Sequence, residues 1–409
     1  MKSLKQIITI SLAALTLTAC SGDDQGEVSV DISDRISGGG SSNGGPTANI
    51  SGSFKNAHET GVFFSAESLG YLRDEYMGIN SYDCQSSYAD HYYETENTLI
   101  YGNPNLPESD FQHAANWIEN NFSTALNAMG ITKDEYFSLR GNVRLAALDS
   151  LQFQLYALDK GENYGTFMIP EQYGSSGYMT SEERTKWSYE AIYKATSADV
   201  VETLLSEPNG PRFTAENQIL VEDKLYVCLH EKDSPWGWGE GHSLGVNIGA
   251  ASVYTPNQVE QLIRHELIHT IQHALAGFVD WLPTPRWFSE GQAVYLSGME
   301  VAHKSKHSEY EPTSVVTFWD EYGDPSDAYK HYGLAYQYLV EANGHDKLIN
   351  MMKQLKGTSN WRLQWNIPEQ QKYVEVFDSL NMLKADGTSL TVEDYRLNYQ
   401  SIMSDYASN

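Results

Sequence analysis

Residues 255–277 read TPNQVEQLIRHELIHTIQHALAG, and this stretch predicts both a helix and the chemistry that the helix carries. Thr255 stands where a helix N-cap is expected, with Pro256 at the first helical position and Gln258 three residues after the cap. Apolar side chains then recur at every fourth position and a glycine ends the run: Val259, Ile263, Leu267, Ile271, Leu275 and Gly277. This spacing predicts an amphipathic helix that buries one face.

Two histidines on this helix, His265 and His269, are four residues apart and lie opposite the apolar face. Residues at that spacing share one side of a helix, so both imidazoles can bind one metal ion. Glu266 points about 100° away from His265 around the helix axis, beside that ion, where it can hold a water molecule. We therefore expect two metal ligands and, in Glu266, a general base. The alternative is a buried helix whose histidines only form hydrogen bonds.

A third ligand is expected from Glu290, which lies in the segment WFSEG at 287–291. Pro285 precedes this segment, as is typical of a chain that begins a new helix. Catalytic zinc takes three protein ligands and keeps one coordination position open. Two imidazoles and one carboxylate meet that count. The sequence therefore predicts one zinc ion per chain, bound by His265, His269 and Glu290.

The pentad at 265–269, the spacing of twenty residues to Glu290 and the segment WFSEGQAVY at 287–295 resemble the gluzincin metallopeptidases. Within them, the chain is most similar to the compact "peptidase MA-like" group. The resemblance extends from about residue 225 to the C-terminus. It implies a zincin-type two-lobed fold of the α+β class, in which a sheet lobe with the active-site helix is followed by a mostly helical lobe. It also implies zinc-dependent hydrolysis of peptide bonds.

Residues 328–341, AYKHYGLAYQYLVE, resemble the tyrosine-bearing helix of the same group. By that resemblance, Tyr329 leans over the zinc and donates a hydrogen bond to the oxyanion that forms when a peptide carbonyl is attacked. Tyr332, one helical turn further on, is the alternative donor. If both phenols only pack between the lobes, His331 and His273 are the next candidates.

Two departures from related families narrow the expected activity. The chain has no Gly-x-Met-Glu-Asn segment before the helix, so it lacks the residues with which aminopeptidases of this family anchor a free amine. Gln272 and Leu275 exclude the metzincin pattern with a third histidine. We therefore expect an endopeptidase. Two alternatives stay open: a catalytically inactive zincin-fold lipoprotein that binds at the surface, against which an intact Glu266 argues, and an aminopeptidase or glycopeptide-specific hydrolase.

The N-terminus predicts export and lipid anchoring. Residues 1–19 hold a short basic start and an apolar run that is too short to span a bilayer, as in a signal peptide. The residues LTAC at 17–20 resemble a bacterial lipobox, which implies cleavage before Cys20 and lipid attachment to it. Ser21 follows where an aspartate would indicate inner-membrane retention, so we expect a lipid-anchored protein of the bacterial envelope, at the outer membrane. An ordinary signal peptide with a chance cysteine is the alternative.

The mature chain is expected to have three parts. Residues 20–57 are rich in Gly, Ser and Asp and predict a flexible tether, residues 58–277 a sheet-containing lobe, and residues 278–409 a helical lobe with the third zinc ligand. The clearest elements are a strand at 98–101, a helix at 110–129, a hairpin of 219–221 with 224–229, a strand at 245–254, and helices at 328–342, 345–355 and 391–403. By the resemblance, the strand at 245–254 is the edge strand that pairs with the substrate backbone.

Composition restricts the partners. The chain has 54 acidic and 27 basic residues and a net charge of −27. This balance argues against nucleic acid, because phosphates require basic surfaces. It suits an acidic solubilising surface or the attraction of cationic peptide substrates to a cleft. Cys84 and Cys228 remain besides Cys20, and an oxidising envelope favours one disulfide between them, with two buried free thiols as the alternative.

Several other side chains are expected to have lesser roles. His273 continues the row of the two histidines by one turn, but a fourth protein ligand would close the open metal position, so we expect it beside the ligands or in solvent. His303 and His307 are again four residues apart, and their lysine-containing segment predicts a solvated helix end. Trp236 and Trp238 are expected to form a substrate platform or to pack beneath a loop.

Overall fold

The structure is a computed structural model, and it describes residues 50–62, 91–103, 105–139, 178–179, 221, 223–230, 237–240, 243–247, 254–276, 284–315, 325–355, 359–360 and 371–408. The signal peptide at 1–19, Cys20, most of the tether, Cys84 and Trp236 lie outside the described residues. What the sequence predicts for them therefore stays a prediction.

Eight strands and eight α-helices have defined bounds within these residues. The strands are β1 Ser53–Asn56, β2 His91–Glu94, β3 Thr98–Gly102, β4 Tyr178–Met179, β5 Leu225–His230, β6 Gly237–Glu240, β7 Ser243–Asn247 and β8 Ser359–Asn360. The helices are α1 Ala57–Thr60, α2 Glu108–Ala128, α3 Pro256–Ala276, α4 Arg286–Ser297, α5 Ala328–Asn343, α6 His345–Gln354, α7 Gln371–Ser379 and α8 Val392–Ser408. The predicted α+β class is confirmed.

Six of the strands form one mixed sheet in the order β1-β2-β3-β5-β7-β6. The central strands β3, β5 and β7 are parallel to one another, whereas the outer pairs are antiparallel. Every residue of β3 and β5 is buried, as is typical of parallel strands covered on both faces. The helix α2 follows β3 and packs against it. The other two strands, β4 and β8, form a separate antiparallel pair.

The structure bears on two predictions about strand pairing. The hairpin predicted between 219–221 and 224–229 is contradicted at β5, which has β3 on one side and β7 on the other, both parallel to it; residues 219, 220 and 222 lie outside the described residues. Of the strand expected at 245–254, the structure describes 245–247 as part of β7, Ser243–Asn247, and leaves 248–253 undescribed. Among the described strands, β7 lies inside the sheet and not at its edge, where β6 lies. A local apolar pattern indicates a strand, but its neighbours depend on the topology of the whole sheet.

The folded part begins before residue 58, where the tether was predicted to end. The strand β1 pairs with β2, and Ala57, directly after it, is fully buried. All four side chains of β1 are exposed, although the Phe54 ring packs on those of Tyr93 and Phe111. Pairing at a sheet edge uses main-chain groups, so a polar composition did not reveal this strand.

The predicted helices are confirmed, and α3 lies at the centre of the helical packing. It contacts β6 and β7 of the sheet as well as α2, α4 and α6. The helices α4 and α5 pack closely against each other. The segments predicted as helices at 328–342, 345–355 and 391–403 correspond to α5, α6 and α8. The last of these is kinked at Asn398.

Among the helices that the structure describes, none combines the length and apolar character needed to cross a bilayer.

Candidate metal centre

The helix α3 begins as its sequence predicts. The Thr255 N–H donates to Gln258 Oε1 at 3.0 Å, and the Gln258 N–H donates to Thr255 Oγ1 at 3.4 Å. This reciprocal capping box fixes the helix start ten residues before His265. The apolar positions from Val259 to Leu275 are buried. The same helix therefore anchors one face in the core and holds the two histidines on another.

Three ligand atoms converge where α3 meets α4. His265 Nε2 lies 3.1 Å from His269 Nε2 and 3.2 Å from Glu290 Oε2. His269 Nε2 lies 3.3 Å from the same Glu290 oxygen. All three residues are buried, and they form a group that could hold a metal ion. The ligand set predicted from the sequence is thus brought together by the fold.

The spacing of these atoms suits a small tetrahedral ion. Zinc binds histidine nitrogen and carboxylate oxygen at about 2.0–2.2 Å. Two ligand atoms at that distance and at the tetrahedral angle are separated by about 3.3–3.5 Å. The observed separations of 3.1–3.3 Å are close to this value. The residues present therefore fit a zinc ion in size, in number and in donor type.

The charges of the group also suit a cation. Burial alone would lower the pKa of His269, but the charge and hydrogen bond of Glu290 outweigh it and raise that pKa to about 9. Burial alone would raise the pKa of Glu290, but Arg286 and His269 hold it well below its usual range. An ionised carboxylate therefore faces two imidazole nitrogens, and this arrangement stabilises a positive charge placed between them.

The orientation of His269 is fixed by a chain of buried amides. Its Nδ1 lies 2.8 Å from Gln272 Oε1, so Nδ1 donates there and Nε2 is the nitrogen that faces the position of a metal. The Gln272 amide nitrogen in turn donates to the Ser289 carbonyl and to Gln292 Oε1, both at 2.9 Å. Gln292 donates to the Tyr336 hydroxyl at 2.7 Å. The network joins α3 to α4 beside Glu290. For His265, no described residue accepts a hydrogen bond from Nδ1.

The other carboxylate oxygen of Glu290 is held by Arg286, a residue that sequence reasoning missed. Arg286 Nη1 lies 2.5 Å from Glu290 Oε1, four residues apart on α4. Arg286 Nη2 donates to the Tyr329 hydroxyl oxygen at 3.1 Å. The four-residue spacing of an arginine and a glutamate was the available signal. The sequence does not show that Arg286 also contacts Tyr329, so the role of this arginine could be recognised only in the structure.

Glu266 lies next to the cluster without joining it. Its side chain is buried, and its carboxylate forms no hydrogen bond or ion pair with the described residues. Burial raises its pKa, although the neighbouring histidines oppose that effect. A carboxylate in this setting is a suitable proton acceptor for a water molecule bound nearby.

Of the two candidate tyrosines, Tyr329 is the one at the cluster. Its ring centroid lies 6.3 Å from that of His265, and the side chain is half-buried. Tyr332 is fully buried behind it, 5.3 Å away between ring centroids. His273 is buried as well but is not among the converging ligand atoms.

His331 belongs to a different group. One of its ring nitrogens lies within 4.8 Å of carboxylate oxygens of Glu309 and Asp327. Its Nδ1 is buried, and no residue that the structure describes forms a hydrogen bond with it. This group is looser than the cluster at His265, and Glu309 is exposed.

The remaining predicted residues take the lesser roles expected of them or stay untested. His303 is exposed and caps a short 3-10 helix, Lys304–Glu309, while His307 Nδ1 contacts the Lys304 backbone. Trp238 lies on the edge strand β6. Cys228 is buried in β5 and is disulfide-bonded. Its predicted pairing with Cys84 stays a prediction, because Cys84 lies outside the described residues.

Comparisons of the chain with protein-family models, with curated proteins and with solved structures find no match.

Proposed function

We propose that the chain is a zinc-dependent endopeptidase of the gluzincin type. The observation that carries this proposal is the buried group of His265, His269 and Glu290, whose ligand atoms are 3.1–3.3 Å apart. Beside it lies the Glu266 carboxylate, which has no hydrogen-bond partner among the described residues. Imidazole and carboxylate ligands together suit zinc. The proposal includes the two-lobed zincin fold, with a cleft between the sheet and the later helices.

His265, His269 and Glu290 would hold the ion, and Glu266 and Tyr329 would act on water and substrate. A bound zinc ion supplies Lewis acidity, which polarises a carbonyl group and makes water a stronger acid. Glu266 accepts a proton from the attacking water as its oxygen bonds to the scissile carbonyl carbon. When the C–N bond breaks, Glu266 passes that proton to the leaving amine. Tyr329 donates a hydrogen bond to the carbonyl oxygen as negative charge develops on it.

The edge strand β6 offers a place for an extended substrate. It forms one border of the sheet and packs against α3, the helix that carries Glu266. A peptide that adds to a sheet edge is held through main-chain hydrogen bonds, which provide affinity with little sequence preference. This role, first expected of residues 245–254, passes in our proposal to Gly237–Glu240.

We also propose that the protein acts in the bacterial cell envelope. Lipid on Cys20 would anchor it, at the outer membrane, and residues 21–49 would link the anchor to the folded part. Its substrates would be peptides or proteins. No role in nucleic-acid binding is proposed, because the net charge is −27.

A peptide-library assay tests the activity. The lipid-free mature chain is incubated with an unbiased library, with zinc and with a chelator, and cleavage sites are read by mass spectrometry. We expect internal cleavage that depends on zinc. Glu266→Gln should retain the metal and lose activity by about 10²–10⁴-fold, since only the proton acceptor is removed. Glu260→Gln, on the same helix, is the matched control and should retain activity.

The outcomes distinguish the alternatives. Release of single N-terminal residues would indicate an aminopeptidase, and cleavage confined to glycosylated peptides a glycopeptide-specific hydrolase. Zinc binding without cleavage of any library member would indicate an inactive binding lipoprotein. Normal hydrolysis by Glu266→Gln would contradict the mechanism.

A further inference from the structure

The position of Arg286 is not explained by the stability of its helix. It is the first residue of α4, where the positive end of the helix dipole disfavours a cation. Its side chain is 26 % exposed, while the Glu290 side chain that it contacts is 2 % exposed. The inward orientation of Arg286 at this end of the helix is therefore explained by the side chains that it contacts.

The guanidinium of Arg286 joins two functional side chains of different helices. Nη1 contacts Glu290 Oε1 at 2.5 Å, and Nη2 donates to the Tyr329 hydroxyl oxygen at 3.1 Å. Both nitrogens belong to one rigid plane, so the position of one contact fixes that of the other. The third ligand of the cluster and the phenol above it are thereby coupled through a single group.

Because of the first contact, the two oxygens of the Glu290 carboxylate have different partners. Oε2 faces the Nε2 atoms of His265 and His269, and Oε1 is occupied by Arg286. Glu290 therefore presents one oxygen to a metal ion instead of two. This leaves more of the coordination sphere to water and substrate, as a catalytic site requires.

The second contact orients the Tyr329 hydroxyl. A guanidinium has N–H donors and no acceptor, so the phenol oxygen must accept in this bond. The bond therefore does not use the phenol's own proton. Tyr329 lies beside His265, with 6.3 Å between ring centroids, and a phenol whose oxygen is held in place can direct its O–H toward a carbonyl bound at the cluster.

We propose that Arg286 is a positioning residue that holds the third metal ligand in its one-oxygen geometry and aims the Tyr329 hydroxyl at the reacting carbonyl oxygen. The proposal rests on the proposed function. Arg286 contacts Glu290 Oε1 and the Tyr329 hydroxyl, and it acts through these two side chains.

The test compares Arg286→Lys, Tyr329→Phe and the double variant. Lysine keeps the charge but has no planar fork, so it cannot hold both contacts in the same geometry. Arg264→Lys is the matched control: Arg264 neighbours His265 and forms a similar fork to the Ser297 carbonyl and Asn121 Oδ1, away from the cluster. Zinc affinity is measured by competition with a chelator, and kcat and KM are measured at saturating zinc.

We expect Arg286→Lys to weaken zinc affinity about 10–100-fold, as removal of a group that orients a ligand does. Tyr329→Phe should leave zinc affinity unchanged and lower kcat about 10²–10³-fold. At saturating zinc, Arg286→Lys should lower kcat as much as Tyr329→Phe with little change in KM, and the double variant should be no slower than either. Arg264→Lys should change neither zinc affinity nor kcat.

The proposal is overturned if the kcat losses of Arg286→Lys and Tyr329→Phe multiply in the double variant, because the two residues then act independently. It is also overturned if Arg286→Lys binds zinc with unchanged affinity. If the wild-type chain binds zinc but cleaves no peptide, the proposed function fails. In that case a cobalt-loaded protein still tests the positioning of Glu290. Its visible spectrum should change in Arg286→Lys and remain unchanged in Arg264→Lys, and an unchanged spectrum in both would overturn the proposal.

Discussion

Gly291 lies directly against the backbone of Tyr332, so that a Cβ built on Gly291 would overlap the Tyr332 carbonyl oxygen. A second glycine acts in the same interface from the other helix: a Cβ on Gly333 would lie 2.8 Å from Val294 Cγ1. The helices α4 and α5 therefore approach each other through two positions without side chains. This contact sets the distance between Glu290, which precedes Gly291, and Tyr329.

Gly291→Ala is expected to destabilise the protein and to weaken the metal site. The added methyl group must move α5 away from α4, at a cost of about 1–3 kcal/mol, which exceeds what alanine gains as a better helix former. Because the two helices carry Glu290 and Tyr329, zinc affinity and kcat should fall together. Thermal unfolding and chelator competition measure both effects.

Gly130→Ala is the control for this substitution. Gly130 has a φ of 64° and open space around its Cβ position, so alanine there should cost about 1–2 kcal/mol of backbone strain without touching the cluster. Zinc affinity should be unchanged. If Gly291→Ala were as stable as the wild type and bound zinc normally, close approach at Gly291 would not determine the site.

The parts of the site that were predicted correctly are those with local signals. The capping box at Thr255, the four-residue spacing of the histidines and the apolar face of α3 are all contained within one helix. Geometry within a helix is fixed by its repeat, so spacing in the sequence translates directly into spacing in the structure. Glu290 lies on the next helix, and its expected place rested on the zinc ligand count and on a resemblance of the segment 287–295.

The parts that were missed depend on contacts between distant segments. Gln272 was used only to exclude a third histidine, although its amide orients His269 and joins α3 to the Ser289 carbonyl. Arg286 gains its role from Tyr329, 43 residues later. The wrong choice of edge strand has the same origin, since the order of strands is decided by pairing across the whole sheet.

Gln272→Leu is expected to weaken zinc binding about 10–100-fold, because His269 loses the acceptor that selects its tautomer. The substitution also leaves the His269 Nδ1–H without its partner in a buried setting, which costs about 1–3 kcal/mol. Chelator competition and thermal unfolding are the measurements. Gln292→Leu removes the next amide in the network, which does not touch the histidine, and should cost stability with a smaller loss of zinc affinity. Equal zinc affinity in Gln272→Leu and the wild type would contradict this role.

Zinc binding is expected to release a proton at neutral pH. Glu290 raises the pKa of His269 to about 9, so below that pH the metal must displace a proton from the imidazole. Affinity should therefore rise with pH, by up to about tenfold per unit, and level off near pH 9. Calorimetry at pH 7 in buffers of different ionisation enthalpy should report release of about one proton per zinc. Binding without proton release would show that His269 is neutral before the metal arrives.

The raised pKa of His269 also predicts how the stability of the metal-free protein changes with pH. The folded-state pKa of His269 is raised from 6.5 to about 9. The stabilisation from the His269–Glu290 pair is therefore fully present below pH 6.5 and is lost as the pH rises through about 9. Denaturant unfolding of chelator-treated protein between pH 6 and 10 should show this loss, and Glu290→Gln should reduce it.

Cys20→Ser is expected to abolish lipid labelling and to leave hydrolysis unchanged. The cluster is formed by His265, His269 and Glu290, far along the chain from Cys20, so we expect the site not to depend on the proposed lipid. In cells, the variant should leave the membrane fraction or accumulate unprocessed. The wild type provides the control for both measurements, and unchanged membrane fractionation of the variant would contradict a lipid anchor at this residue.

The comparison of Tyr329→Phe with Tyr332→Phe tests which phenol stabilises the oxyanion. Tyr329 is half-buried beside His265 and in contact with Arg286, whereas Tyr332 is fully buried behind it. A donor must reach the carbonyl oxygen of a bound substrate, so we expect Tyr329→Phe to reduce kcat about 10²–10³-fold with KM, zinc content and melting temperature nearly unchanged. Tyr332→Phe should affect melting temperature more than kcat, because its phenol packs in the core.

A reversal of these results would assign the role of oxyanion donor to Tyr332, one helical turn along α5. If both variants retain full turnover, the oxyanion donor is neither tyrosine, and His273, buried on α3, is the next residue to substitute.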